Sequence, residues 1–514
     1  MLDTTVVRRM FPFVTPEFST HITNPTEGKR TFMDSTASTQ VSAPVLEKLI
    51  SASMIYANVH RGEYDASQIT TEDFERAYNI AANLVNAQSW REIILGRNTT
   101  EMINLAMRAM EYDFRDGDNI VTTRLEHNSN YVPWHGLQQL LKARGLNIDI
   151  RLVDFDKVTG GLDMDQMTSK VDDRTKIVAV TGASNFMGVK PDIEEIVGIA
   201  HNTFYEHKDV QGKHLFTGSY VLVDGAQLVP GTPVDVQQMG CDFLAWSFHK
   251  MGLPLGVGGL FARQEIMEGL NPFLYGGDMI EDVKEGAVEY KDLPWRFTAG
   301  TPNILGTIAT GYGIAFMMNV GRGSLIIPGY DTDTNAVGRA IETEALMNTP
   351  RGDFDAKYHV PEQYAAQWKA YAAANPAVID DLQDPQTRLA RSREVVSEAM
   401  GNIMEHEEVL TEYIISGLQE IPGVSVYGPL DPSKRAGLVG FNIQGIDPQY
   451  VAFELNKKGI EARNGNHCAS LAHEHIGVDG SVRLSVYVYN NYDDVAAALG
   501  AVQEIVDEAQ NQAG

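Results

Sequence analysis

Between about residues 90 and 262 the chain alternates short, β-branched apolar runs with stretches of helical period. The runs are EIILG (92–96), NIVTT (119–123), IDIRLVDF (148–155), KIVAVTG (176–182), YVLVDG (220–225), DFLAW (242–246) and GGLFA (258–262). Several are apolar at successive positions, so both faces of those strands are buried, as between two layers of helices. Strands alternating with helices predict an α/β domain on a mostly parallel, seven-stranded sheet. Near residue 400 the pattern restarts. An amphipathic stretch, EHEEVLTEYIISGLQEI, leads to PGVSVYGP, GLVGFNI and a helical period near 447–458. The loop RNGNHCAS, the run SVRLSVYVYN and a last helix from 491 follow. This predicts a small C-terminal α+β domain.

Two stretches break the rhythm. Residues 201–219, HNTFYEHKDVQGKHLFTGS, are longer and more polar than an ordinary connection. Residues 322–398 are rich in Pro, Asp, Ala and Gln, carry helical patches such as EQYAAQWKAYAAA, and read as an inserted element. The expected organisation is an N-terminal segment (1–30) packing with the small domain, a large domain (31–321), the inserted element (322–398) and the small domain (399–514). A chain of 514 residues is long enough for two or three substructures.

Composition narrows the function classes. A net charge of −27 argues against nucleic-acid binding, which needs a basic face. No run approaches the roughly 18 consecutive apolar residues of a membrane span. The start, MLDTTVVRRMFPFVTPEF, has no apolar core followed by a small-residue cleavage site. A cytoplasmic protein is the expectation. Two cysteines make no disulfide framework. Cys241 precedes an apolar run and reads as structural, whereas Cys468 sits in a polar loop with Arg463 and His467 nearby, a setting that can hold a reactive thiolate.

Candidate chemistry gathers at strand ends. In SFHKMGLPLGVGG (247–259) Lys250 closes an apolar strand, where desolvation lowers an amine pKa and favours Schiff-base formation. Ser247 and His249 can reach a phosphate there, and the glycines allow close backbone approach. Asp224 ends the strand of VLVDGAQ, where α/β sheets place ligands. A buried carboxylate needs a cationic partner, and a protonated pyridine nitrogen is one. Gln227 follows within reach of a ring oxygen. In GRNTTEMINLAM, Thr100 lies at a helix start, whose N–H groups suit a phosphate. His127, in RLEHNSNYVPW, and Asn185, in TGASNFMG, also follow strands. Singly, most of these read equally well as ordinary caps and loop residues; their combination carries the signal.

Together the motifs resemble the class V aminotransferase family of fold-type I pyridoxal 5'-phosphate (PLP) enzymes. They are most similar to group II cysteine desulfurases, the kind that also act on selenocysteine. The resemblance spans MDSTAST (33–39), NVHRGEYDASQITTEDFERAY (58–78), EHNSNYVPW (126–134), VDGAQ (223–227), SFHK (247–250), RFTAGTPN (296–303) and GIEARNGNHCAS (459–470), and nearly the whole chain outside the two odd stretches. It implies that Lys250 carries PLP as a Schiff base, that His127 stacks on the ring and helps move protons, and that Asp224 pairs with the ring nitrogen. It places Gln227 and Asn185 near the ring oxygen, and Thr100, Ser247 and His249 at the phosphate. Thr301 is expected at the phosphate of the partner in a homodimer. Arg463 and Arg483 are expected to clamp the substrate carboxylate. Cys468 aligns with the nucleophile that takes sulfur from L-cysteine as a persulfide. That sulfur passes to a protein acceptor serving iron–sulfur cluster assembly or thiolation, and alanine is released.

The chain departs from the family wording at three points. Asn466 replaces the first of two histidines before the cysteine. MGLPLG follows the lysine in place of a tyrosine-glycine-proline wording. Thr298 stands where group II members often carry a glutamate. The inserted element would cover the active site or replace an acceptor-docking surface. Another class V reaction on an amino acid (C–S lyase, epimerase or aminotransferase) is the alternative. It would share Lys250 and Asp224 but not need Cys468.

Overall fold

The computed structural model describes residues 1–14, 30–254, 256–326, 334–355 and 360–513. Its centre is a sheet of the seven expected strands: β1 (Ile93–Gly96), β2 (Asn119–Thr123), β3 (Asp149–Val153), β4 (Thr175–Thr181), β5 (Tyr220–Asp224), β6 (Phe243–Ser247) and β7 (Gly258–Ala262). The spatial order is β1-β7-β6-β5-β4-β2-β3. Only β7 runs against its neighbours. In β2, β4, β5, β6 and β7 every residue is buried, so the uninterrupted apolar runs are explained by helices on both faces. Helices α1 (Asp65–Val85), α2 (Thr99–Ala109) and α3 (Ile304–Gly321) belong to these layers. Helix α3 is as long and apolar as a membrane span, but most of it is buried inside the fold.

The small domain is a four-stranded antiparallel sheet of β8 (Val424–Tyr427), β9 (Leu438–Ile443), β10 (Arg463–Gly465) and β11 (Ser481–Ser485), ordered β8-β9-β11-β10. Residues of the described stretch 1–14 contact the small domain. Arg8 pairs with Asp494 at 2.6 Å and donates to the Tyr489 carbonyl, and fully buried Phe11 meets Tyr489 edge-on at 5.0 Å. This attachment runs past the expected boundary at residue 30: Thr31 and Phe32 pair in parallel with Ile460 and Glu461, and Asp34 bridges to Ser485.

The two odd stretches resolve differently. Residues 201–219 contain a two-stranded hairpin, Glu206–Lys208 with His214–Thr217. It is anchored by fully buried His207, which stacks on Tyr220 at 3.5 Å. The expected end of the inserted element at 398 is corrected. Helix α5 runs unbroken from Pro385 to Glu420, because Asp384 caps it, Pro385 sits at its first position and no further proline follows until Pro422. Before it, α4 (Thr334–Met347) and the turn after it dock on the large domain. Arg351 donates to Asn83 and Asn86 of the α1 C-terminus, and Asn79 donates to the Thr349 carbonyl.

The Phe11–Tyr489 contact makes the N-terminal segment part of the fold. Phe11→Ala is expected to destabilise the protein by about 3–5 kcal/mol in chemical denaturation. A change near zero would show that the segment is not a structural element.

Candidate active site

A cavity of about 260 Å³ opens at the C-terminal ends of β4, β5 and β6, where the strands hand over to loops. Eight of the expected residues line it: Thr100, His127, Asn185, Asp224, Gln227, Ser247, His249 and Lys250. Two more, Thr99 and Ser129, were not singled out from the sequence.

Lys250 follows β6 directly, on a single 3₁₀ turn. Burial lowers its amine pKa to about 8, while Asp224 pulls in the opposite direction. Asp224 is itself buried, and burial raises its carboxyl pKa while Lys250 and the Ala226 N–H oppose this. One carboxylate oxygen accepts from Ala226 at 3.0 Å. A desolvated carboxylate with so little compensation is suited to a cation held in the cavity. Asn185 adds a buried side-chain oxygen without a hydrogen-bond partner, while its amide donates to the His467 carbonyl at 2.6 Å.

The other wall carries donors for an anion. Helix α2 begins here, with Asn98 as its N-cap accepting from the Glu101 N–H. Ser247 accepts from the Thr99 N–H at 2.8 Å and shares a hydroxyl bond with Thr99, which ties β6 to the helix start. Thr100 and Ser129 hydroxyls meet at 2.7 Å. These hydroxyls and the positive end of α2 suit a phosphate. His249 is held by Ser38 at 3.1 Å.

His127 is fixed as a neutral ring. Its Nδ1 accepts from the Ser129 N–H at 3.1 Å, so its proton sits on Nε2. Burial, then the positive charges of Lys250 and Arg483, lower its pKa to about 4. Preceding it, Glu126 is buried and accepts from Thr123, Thr181 and Asn130, which locks the His127 turn to the ends of β2 and β4. Gln227 lines the cavity, but its amide donates to the Thr36 carbonyl at 2.8 Å, so its link to the segment after Asp34 is the firmer role.

The small domain closes over this floor. Exposed Cys468 and buried His467 both have left-handed backbone, with φ of 55° and 51°. Such conformations cost non-glycine residues about 1–3 kcal/mol each and persist only when neighbours enforce them. Here the Cys468 N–H donates to the Asn466 side chain, the Cys468 carbonyl accepts from the Asn128 N–H at 2.7 Å, and the His467 carbonyl accepts from Asn185. Asn466 therefore shapes the turn as an Asx cap. Two of these bonds reach the large domain, next to His127 and at Asn185. The turn is thus pinned at the cavity mouth.

Arg463 and Arg483 face each other across two strands and line no part of the cavity; between them lies a carboxylate that the sequence did not assign. Asp34 bonds Arg463 at 2.8 Å and Arg483 at 3.2 Å. Thr301 is exposed and lines no part of this cavity. The inserted element contributes no lining residue among those described.

The aminotransferase class-V family model matches residues 31–325 and 393–498. The chain belongs to the class-V aminotransferase family. The unmatched stretch between those ranges falls within the inserted element. Relatives include a cysteine desulfurase of Haloferax volcanii, 30% identical over 98% of this chain and 96% of its own. A probable cysteine desulfurase of Halalkalibacterium halodurans is 30% identical over 92% of each. Among solved structures, the apo cysteine desulfurase of Thermococcus onnurineus aligns with a TM-score of 0.73 and 28% identity over 99% of both chains. An Escherichia coli cysteine desulfurase aligns with a TM-score of 0.70 at 23% identity over 99% of both chains, a likeness of fold.

The two thiols of this class-V member lie in opposite settings, Cys468 exposed and Cys241 buried with its pKa pushed up by that burial. A thiol reagent is expected to titrate Cys468 alone in the folded protein and Cys241 only after unfolding. Rapid reaction of both, or of neither, would contradict this placement.

Proposed function

We propose that this chain is a PLP-dependent cysteine desulfurase that converts L-cysteine to L-alanine and leaves the sulfur as a persulfide on Cys468. The observation that carries this reading is the Cys468 turn, strained and pinned by Asn128 and Asn185 at the mouth of the Lys250–Asp224 cavity. The cysteine desulfurase relatives support it across nearly the whole chain.

The residues fit PLP. Lys250 is a desolvated amine, Asp224 a buried carboxylate awaiting a cation, and the start of α2 with Thr100 and Ser247 a phosphate seat. When bound, PLP supplies an electron sink for the charge left at the substrate α-carbon. Lys250 would hold the cofactor, and its amine is placed to take the substrate α-proton. Arg463 and Arg483 bind the α-carboxylate. Neutral His127 offers an Nε2 proton on the floor of the site. Cys468 attacks the substrate sulfur as a thiolate. The carbon–sulfur bond breaks and a sulfur–sulfur bond forms; the β-carbon takes up the proton of the substrate thiol, and Lys250 returns its proton to the α-carbon, giving alanine. The exposure of Cys468 suits transfer onward to a protein acceptor. Selenocysteine, a close isostere, fits the same clamp.

A homodimer is part of this proposal. Thr301 is exposed beside the start of α3 and away from its own cavity, which supports its reaching the phosphate in a second copy. Both cysteines are free, which supports a reducing, cytoplasmic setting.

Turnover of L-cysteine by the PLP-loaded protein with a reductant tests this reading. Alanine and sulfide are expected in equal amounts, with both lost in Cys468→Ala. Full turnover by that variant would move the function to another class-V reaction. The Lys250 pKa adds a pH signature. Cofactor attachment needs the free amine, so the rate of PLP loading is expected to rise with pH through about 8 and then level. Asp224 favours the ammonium form, so Asp224→Asn should move that midpoint down. A loading rate independent of pH would contradict the assignment of Lys250.

A further inference from the structure

Strands β10 and β11 place Arg463 and Arg483 directly opposite each other in antiparallel register. Two like charges facing across a strand pair repel, and burial of Arg483 strengthens the conflict. The chain resolves it with Asp34. The segment carrying Asp34 is fixed from both sides: Met33 N–H donates to the Glu461 carbonyl, Ser485 N–H donates to the Met33 carbonyl, and Thr36 N–H donates to the Ser485 hydroxyl. The Asp34 carboxylate therefore has little freedom. Its Oδ2 takes both Nε and Nη2 of Arg463, at 2.9 and 2.8 Å, and its Oδ1 takes Nη2 of Arg483 at 3.2 Å. The Nη1 of Arg483 is spent on the Asn185 carbonyl at 2.9 Å, and its Nε is buried without a partner.

We propose that Asp34 is a specificity-determining residue: it sets the net charge of the arginine clamp at one positive unit, matched to a substrate with a single carboxylate. This rests on the amino-acid-binding role given to the clamp above. Two arginines alone would present two positive charges and would favour amino acids bearing a second acidic group. Asp34 cancels one charge and repels that second group, while leaving Arg483 enough positive character to hold one α-carboxylate. The same carboxylate orients the Arg463 guanidinium, which is otherwise half exposed.

The test is a titration of the PLP-loaded enzyme with L-alanine and with L-aspartate, read as the change in cofactor absorbance. The native enzyme is expected to bind L-alanine the more tightly. In Asp34→Asn the ratio of the L-aspartate to the L-alanine dissociation constant should fall by about tenfold or more, the scale of one removed charge at contact distance. Asp34→Glu, which restores the charge, should keep the native ratio. An unchanged ratio in Asp34→Asn, with both ligands merely weakened, would make Asp34 a structural residue and overturn the proposal. Equal affinity of the native enzyme for both ligands would overturn it without any variant. No absorbance response of the native enzyme to L-alanine would instead sink the amino-acid-binding reading itself.

Discussion

Lys250 and Asp224 are opposite charges at the ends of adjacent strands β6 and β5, the carboxylate buried and the lysine partly so. Neither is stable there alone. Burial pulls the amine towards its free base and pushes the carboxyl towards its acid, and each charge partly restores the other. Much of the surrounding structure serves to keep this pair in place and poised. The buried strands bring the two residues together at the floor of one cavity. The start of α2, bonded through Thr99 to Ser247, and the Glu126 cage behind His127 fix the walls. The resulting floor holds an amine ready to become a nucleophile and a carboxylate ready for a cation.

The second requirement is a lid with its own chemistry. The small domain supplies it, and its links to the large domain include Asn185 with His467, Asn128 with Cys468, and the segment 31–40 that joins both. Along that segment Thr31 to Asp34 pair with the small domain, Thr36 accepts from Gln227, and Thr39 bonds the His249 carbonyl. One short stretch of chain thus connects the arginine clamp, the cysteine turn and the lysine loop. Movement of the small domain would be felt by all three. This arrangement also explains why the N-terminal residues, remote in sequence, are built into the core through Phe11 and Arg8.

Features that rest on local chemistry were legible in the sequence. The strands read directly from their doubly apolar pattern. Lys250, Asp224 and Cys468 stood out because each is a reactive residue at an abrupt change from apolar to glycine-rich or polar chain. Features that depend on long-range pairing were not legible. Asp34 has meaning only because β10 and β11 set Arg463 opposite Arg483, more than four hundred residues away. Glu126 adjoins His127 in sequence, but its buried role comes from Thr181 and Asn130, which only the fold brings to it. Helix α5 was split because its N-terminal half has a weaker apolar stripe than the half that packs on the small domain. The inserted element was recognised by composition, but composition does not say which face it covers; Arg351 and its asparagines decide that.

The account stands or falls on Cys468 receiving the sulfur. The direct measurement is to expose the PLP-loaded enzyme to L-cysteine without reductant and map the adducts by peptide mass spectrometry. The peptide carrying Cys468 is predicted to gain one sulfur atom, while the peptide carrying Cys241 stays unchanged. Formation of alanine with Cys468 unmodified would contradict the account.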